Sequence, residues 1–85
     1  MGTNIYDKTP IPVSVASTTG ELPDGFVTAS LRNTGAADAT LTFSDGSTYT
    51  LSALEEIHFH RHGDTYNVVL IDATNTTVKG FYTKF

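Results

Sequence analysis

Apolar and polar residues alternate along most of this chain, in short segments separated by Gly, Asp, Asn and Ser. A period of two places successive side chains on opposite faces of an extended backbone, whereas a helix repeats its apolar positions every three to four residues. No segment shows a sustained helical period, and only 52–57 has room for one helical turn. The pattern therefore predicts an all-β fold, a small antiparallel β-sandwich or barrel of six to seven strands.

Turn residues between the alternating segments set the boundaries of the predicted strands. Pro10 and Pro12 precede the first strand, which suits an edge position because proline cannot donate a hydrogen bond to a neighbour. Gly and Pro residues predict a loop over 18–25, and a polar run predicts a turn at 73–76. The predicted strands are 11–17, 26–33, one around Leu41 and Phe43, one around Tyr49 and Leu51, 56–62, 66–72 and 77–85.

The pair Asp45-Gly46 predicts a tight hairpin between the third and fourth strands. A two-residue type I′ turn needs positive φ at both central residues, and Asp followed by Gly is a preferred pair there. Apolar residues alternate on both sides of the pair. The chain is therefore expected to reverse direction at 45–46.

The segment 66–72 differs from the others because both of its faces carry apolar side chains. Such a strand is covered on both faces, here by a second layer, by an N-terminal arm or by another subunit. Residues 1–10 are polar, and 1–12 are predicted to form the arm, while 13–85 are predicted to form the single β-sandwich domain. The predicted interface consists of apolar residues that alternation places outward or at a loose chain end: Ile5, Tyr6, Val69, Ile71, Phe81 and Phe85.

The length of 85 residues and the lack of cysteine favour oligomerisation. A domain this short buries only about 60% of the surface that its unfolded chain exposes, so it gains little stability without a disulfide, a metal or a partner. The expected partner is another copy of the chain. Nucleic acid is not expected, because the net charge is -4 and the five basic residues are scattered. No membrane partner is expected either, since the longest apolar run is 68–71.

Three histidines alternate in the predicted fifth strand: His58, His60 and His62. Residues two apart on a strand share a face, so the imidazoles form a stripe opposite Phe59. Two neighbours, about 6.6–6.8 Å apart at Cα, can converge on one transition-metal ion, but two ligands do not make a site. Further ligands would have to come from symmetry copies or from nearby carboxylates, namely Glu56, Asp64 and Asp72. Without them the stripe is a polar surface or a pH-sensitive interface, and no cofactor is expected.

No motif for catalysis is present in the sequence. It has no G-x-S-x-G nucleophile elbow, no phosphate-binding Gly loop and no cysteine nucleophile. The residues Asp45, Asp64 and Asp72 fall at predicted turns or strand ends, where Asp commonly caps its own backbone. A non-enzymatic protein is therefore expected, with no catalytic residues.

Aromatic residues raise carbohydrate binding as an alternative function. An exposed flat platform is needed, and its candidate members are Tyr6, Tyr49, Tyr66, Phe81, Tyr82 and Phe85. Tryptophan is absent, and Tyr49 and Tyr66 fall on the apolar register of their strands, so both are expected in the core. A small β module that binds carbohydrate, or a metal through histidine, remains the alternative to an assembly role.

Residues 31–82 contain, in order, a strand leading into an N-T-G turn, a Thr-rich hairpin, a Y-x-L strand and two strands linked by D-A-T-x-T-T. The segments are LRNTGAADATLTF, YTL, a strand ending in F-x-H, and TYNVVLIDATNTTVKGFY. This order resembles a class of small β proteins encoded among phage virion genes. The chain departs from that class at Ala53-Leu54-Glu55, where Pro-Gly-Glu is usual, and in the histidine stripe.

The resemblance implies a non-enzymatic virion component that decorates the capsid, forms head fibres or seals the neck. Proteins of this class assemble as trimers or other symmetric rings and bind other virion proteins. The implied location of the protein is therefore the virion.

Overall fold

The computed structural model describes residues 9–60 and 65–84, and this part of the chain contains strands and no helix. The strands are β1 (Ile11–Leu22), β2 (Phe26–Asn33), β3 (Ala39–Thr42), β4 (Thr48–Leu51), β5 (Glu56–His60) and β6 (Val69–Lys84). All their pairings are antiparallel. The predicted all-β class is confirmed. None of the described segments is a helix long and apolar enough to cross a membrane.

The 16-residue strand β6 organises the sheet, because it pairs with three other strands. Strand β1 runs along one side of β6 over nearly its whole length. On the other side of β6, β3 pairs with 70–72 and β2 pairs with 78–84. Strand β4 pairs with the outer side of β3, and β5 pairs with the outer side of β2. The sheet therefore divides into two halves that share β1 and β6, and it curls into a half-barrel.

The hydrophobic core lies inside the curl and joins the two halves. Its buried members come from all strands except β5, which adds Ile57 and Phe59 at the core margin. The buried core residues are Val15, Leu22, Phe26, Ala29, Leu31, Ala39, Leu41, Leu51, Val69, Ile71, Ala73 and Val78. Because alternate residues of each strand point inward, the residues between them form the convex outer surface.

Two segments predicted as connections are instead parts of strands. Strand β1 continues through 18–22, and β6 continues through the predicted turn at 73–76. The pairing of β1 with β6 shifts register at this point, from Ala16 opposite Thr77 to Thr18 opposite Ala73. Between them Ser17 has a positive φ of 57°. The structure therefore has six described strands, because one bulged strand, β6, takes the place of two predicted strands and the turn predicted between them.

The polar residues at 72–76 stabilise this bulge with the hydrogen bonds that they would make in a turn. One carboxylate oxygen of Asp72 accepts from the backbone N–H of Thr74 at 3.1 Å and from its hydroxyl at 2.6 Å. These two hydrogen bonds hold the pKa of Asp72 below its usual value, and the bond from the Thr74 hydroxyl has the larger effect. An Asp-x-Thr signal is common to turns and bulges, so it does not distinguish them in a sequence.

The outward placement predicted for Val69 and Ile71 is wrong. Both side chains are buried in the core, at 3% and 1% exposure, whereas Leu70 between them is 48% exposed. The segment is apolar on both faces, so its pattern alone does not say which face points inward. Pairing with Leu22 and Gly20 on β1 places Val69 and Ile71 inside the curl.

Asn33, at the end of β2, is a buried hub that joins four parts of the chain. Its side-chain amide donates to the carbonyl oxygens of Ala37 at 2.7 Å and Leu51 at 2.9 Å. Its side-chain oxygen accepts from the backbone N–H of Gly35 at 3.0 Å and from the hydroxyl of Thr76 at 2.7 Å. The N-T-G turn is therefore tied to both β4 and β6.

The hairpin predicted at 45–46 is present, but its turn is not type I′. Gly46 has a φ of 90°, whereas Asp45 is not among the described residues with positive φ. The N–H of Gly46 donates to the carbonyl of Phe43 at 2.9 Å, and the N–H of Phe43 donates to the carbonyl of Ser47 at 2.8 Å. This is the pattern of a longer loop in which a bulged glycine follows the turn.

The connection between β4 and β5 contains a strained residue. Leu54 has a φ of 65° and is 63% exposed. A left-handed conformation costs a residue with a Cβ about 1–2 kcal/mol, whereas glycine adopts it freely.

The Leu54→Gly variant should therefore be more stable than the natural protein, by about 0.5–1 kcal/mol once the greater freedom of glycine in the unfolded chain is subtracted. Urea unfolding measures the difference. Leu54→Ala is the matched control, because alanine removes the exposed apolar side chain but keeps the Cβ. Equal stability changes in the two variants would contradict relief of backbone strain.

Candidate functional site

The convex outer surface divides into two faces, one on each half of the sheet. The first, called the Phe81 face, lies on β6, β2 and β5 and consists of Arg32, Lys79, Phe81, Ser30, Glu56, His58 and His60. The second, called the Leu70 face, lies on β1, β6, β3 and β4 and consists of Leu70, Asp72, Glu21, Thr19, Thr40, Thr42, Thr48 and Thr50. Each face has one large apolar side chain among polar ones.

Phe81 lies in the middle of its face and is 50% exposed. It is flanked in register by Pro12 on β1 and Ser30 on β2, and His58 lies one strand further along the same row. Its neighbours are too small to cover an aromatic ring from the sides. The prediction that Phe81 points outward is confirmed.

A row of charged side chains crosses the sheet beside Phe81. Lys79 lies directly opposite Arg32, and Arg32 lies directly opposite Glu56. Like charges at directly opposite positions of neighbouring strands repel each other. Glu56 is engaged elsewhere, because its carboxylate accepts from the Ser30 hydroxyl at 3.4 Å and lies 3.7 Å from the His58 imidazole. Within residues 9–60 and 65–84, neither Lys79 nor Arg32 forms an ion pair.

The histidine stripe lies at the edge of the Phe81 face. His58 and His60 both point outward from β5, as predicted, while Ile57 and Phe59 point to the core. The Nδ1 atom of His58 is 3.1 Å from the Ser30 hydroxyl. His62 lies outside the described residues. In the described part of the chain, no three His, Asp or Glu side chains are placed to hold one metal ion.

The Leu70 face is acidic and contains a groove. Leu70 is flanked in register by Glu21 on β1 and Thr42 on β3, and Asp72 lies between Thr19 and Thr40 in the next row. The groove has a volume of about 520 Å³ and is lined by Thr19, Gly20, Glu21, Thr42, Leu70, Ile71 and Asp72. Its two carboxylates are exposed, and none of its side chains is Lys or Arg.

An aromatic cluster lies at one end of the half-barrel. The ring of Tyr66 stacks on Phe26 with centroids 4.9 Å apart, and Phe59 meets Tyr66 edge to face at 5.4 Å. Tyr66 thus packs against the core, as expected. Beside this cluster is a cleft of about 210 Å³, whose lining residues are Phe43, Ser44, Phe59, Thr65, Tyr66, Asn67, Val68 and Val69.

Tyr49 is not in the core, contrary to expectation, but is 38% exposed. Its hydroxyl donates to the Glu55 carboxylate, which also accepts from the Ser52 backbone N–H at 2.9 Å. The hydrogen bond from Tyr49 has the largest effect in lowering the pKa of Glu55, and the bond from Ser52 has the next largest. The bond between Tyr49 and Glu55 also raises the pKa of Tyr49. Because the folded pKa of Glu55 is below its unfolded value, this contact stabilises the fold at neutral pH and is lost on acidification.

The predicted interface residues are thus divided. Ile5, Tyr6 and Phe85 lie outside the described residues, Phe81 is exposed, and Val69 and Ile71 are inside the core. Sequence reasoning missed the groove around Leu70 and the opposed pair of cations. Both depend on strand pairings that join distant parts of the chain, as β2 with β6 does.

Comparison with protein-family models, with curated proteins and with solved structures finds no match to this chain.

Proposed function

We propose that this protein is a non-enzymatic structural subunit that assembles with copies of itself in a trimer or another symmetric ring and binds other proteins of a phage particle. The main support is the position of its exposed apolar side chains. Leu70 and Phe81 are each about half exposed and lie on β6, which has paired strands on both of its sides. Protein interfaces have an apolar centre and a polar rim, and each of these faces places one large apolar side chain among polar ones.

The edges of the sheet also favour assembly. In the described part of the chain, β1 is a 12-residue strand that pairs only with β6. An unpaired strand edge presents a row of backbone donors and acceptors, which proteins either blunt or pair with a neighbour. Pro12 and the bulge at Ser17 interrupt this edge, so the broad outer faces are the better docking surfaces.

The carboxylates support a non-enzymatic role, because several of them are engaged in local structure. Asp45 accepts from the backbone N–H and the hydroxyl of Ser47, at 2.9 Å and 2.6 Å. Asp72 accepts hydrogen bonds from Thr74 within the bulge at 72–76. Glu55 accepts one from the backbone N–H of Ser52 within the connection between β4 and β5. Such contacts lower the pKa of these groups, whereas a general acid at neutral pH needs a raised one.

The virion assignment rests on the resemblance of residues 31–82 to phage proteins of the capsid-decoration, head-fibre and neck class. The hub at Asn33 and the bulge at 72–76 give structural roles to the N-T-G and D-A-T-x-T-T signals of that class. An antiserum raised against the pure protein should label purified phage particles that carry its gene. Labelling of host fractions alone would contradict the virion assignment.

Assembly predicts that thermal stability depends on protein concentration. Because an oligomer is favoured by mass action, its unfolding midpoint rises with concentration. For a chain of this size, a tenfold increase should raise the midpoint by about 3–6 °C. Scanning calorimetry over a hundredfold range of the untagged protein measures this. A midpoint that is independent of concentration is the behaviour of a monomer and would contradict the proposal.

A ligand-binding module is the second candidate, and the aromatic cleft is the observation that favours it. Phe43, Phe59 and Tyr66 supply apolar walls, while Ser44 and Asn67 supply polar groups that share a hydrogen bond of 3.2 Å. Aromatic walls with a few polar groups are typical of sites for small molecules, including sugars. Chemical-shift changes confined to these residues on addition of monosaccharides would support this function over assembly.

A further inference from the structure

We propose that the copies associate head to tail, with the Phe81 face of one copy docked on the Leu70 face of the next. This inference rests on the proposed assembly and goes beyond it by assigning the two surfaces and their orientation. The partner is a second copy of this chain, and the contact is heterologous, meaning that two different faces of the protein meet.

Charge complementarity is the first argument. The Phe81 face places Lys79 and Arg32 side by side without an ion-pair partner among the described residues. Among the residues that the structure describes, the Leu70 face presents the carboxylates of Glu21 and Asp72 and no cation. When the faces meet, each set of charges gains an opposite partner, and the repulsion between Lys79 and Arg32 is offset.

Self-pairing of either face is unfavourable for the same reason. A two-fold contact between two Phe81 faces would bring together four cations, two copies each of Lys79 and Arg32, with only the two Glu56 carboxylates to offset them. A two-fold contact between two Leu70 faces would bring together four carboxylates with no cation. Like charges brought together across an interface weaken binding and select against that partner. The head-to-tail contact avoids both arrangements.

Shape is the second argument. Phe81 projects from a row of smaller neighbours, and Leu70 lies in a groove of about 520 Å³. An aromatic ring that packs against Leu70 within a rim of polar side chains has the anatomy of a central interface contact.

The position of the two faces allows a ring. They lie on the same convex surface, and Leu70 and Phe81 are eleven residues apart along β6, or roughly 35 Å if the strand were straight. One copy can therefore hold a neighbour with each face at the same time. Repetition of a heterologous contact closes into a ring when the rotation allows it.

The decisive experiment mixes two variants, Phe81→Ser and Leu70→Ser, each of which leaves one face intact. Each variant alone should be monomeric by sedimentation velocity at a concentration where the natural protein is assembled. An equimolar mixture should contain a heterodimer of twice the 9.1 kDa chain mass, because one intact Phe81 face meets one intact Leu70 face. Both positions are exposed, so both variants are expected to fold, and circular dichroism checks this.

Charge reversal gives a second, independent test. Lys79→Glu and Glu21→Lys should each weaken the assembly, by at least tenfold in the concentration needed for half association. The double variant should recover most of the loss, because the reversed charges again face each other between copies. Lys84→Glu is the matched control for Lys79→Glu, since Lys84 lies at the end of β6 outside the Phe81 face, and it should have little effect.

The outcomes separate this inference from the proposed function. A natural protein that is monomeric at every concentration overturns both. An assembled natural protein whose mass is unchanged in both serine variants overturns the head-to-tail contact alone. Loss of assembly in Phe81→Ser but not in Leu70→Ser indicates a two-fold contact and also overturns it. If deletion of residues 1–8 leaves the chain folded but abolishes assembly while both serine variants still assemble, the arm is the contact instead.

Discussion

The Asn33→Asp variant is expected to lose about 3–5 kcal/mol of folding free energy, which is a large part of the total for a domain of this size. Asn33 is fully buried and uses both its amide hydrogens and its oxygen. Aspartate has almost the same shape but lacks the amide donors. The carbonyl oxygens of Ala37 and Leu51 would then face a carboxyl oxygen instead of an N–H group.

Urea unfolding followed by circular dichroism measures this loss. Asn67→Asp is the matched control, because Asn67 is exposed and its side chain donates to the Ser44 hydroxyl at 3.2 Å. The control should change stability by less than about 1 kcal/mol. Similar losses of unfolding free energy in the two variants would contradict the stabilising role assigned to the hydrogen bonds of Asn33.

Gly80→Ala is expected to have a second large effect, a loss of about 3 kcal/mol or more. Strands β6 and β2 approach each other closely at this position. A Cβ at Gly80 would overlap the carbonyl oxygen of Ser30 and would lie 2.8 Å from its carbonyl carbon and 3.0 Å from the Cα of Leu31. All three atoms are backbone, so the two strands would have to separate and weaken their pairing.

Gly20→Ala is the comparison that makes this test specific. Its Cβ would lie 2.7 Å from a methyl group of Val15, which is a side-chain atom and can move. Its loss should be clearly smaller, at about 1–2 kcal/mol. If the midpoints of urea unfolding fall in the reverse order, the close contact between β6 and β2 is not as described.

Alternation of residue types was enough to predict the strand content and much of the outward surface. His58, His60 and Phe81 point outward because they alternate with residues that a core requires, namely Phe59, Val78 and Tyr82. In these segments only one face is apolar over most of its length, so the inward face is determined by the sequence.

The direction of 69–71 could not be read in the same way, because Val69, Leu70 and Ile71 are all apolar. Either face suits a core by composition. Pairing with β1 and β3 decides the question, since Leu41 and Leu22 are buried beside Ile71 and Val69. The interface residue on this strand is therefore Leu70 in our proposal.

The continuity of β6 through 73–76 could not be predicted from the sequence either, for a physical reason. Asp72 and Thr74 form the hydrogen bonds of a turn, yet the backbone continues as a bulged strand because β1 bulges beside it at Ser17. The opposition of Lys79 and Arg32 follows from pairing across 47 positions of the chain. Local patterns carry no information about such pairings, and the candidate site depends on them.

The proposal that this chain is a symmetric structural subunit is tested most directly by its solution mass. Light scattering on the untagged protein, with and without a chelator, gives the number of chains in each particle. We expect a stable trimer or larger ring whose mass does not change when metal is removed, since none of the proposed contacts requires a metal-bound histidine. A monomer, or an assembly that dissociates in chelator, would contradict this account.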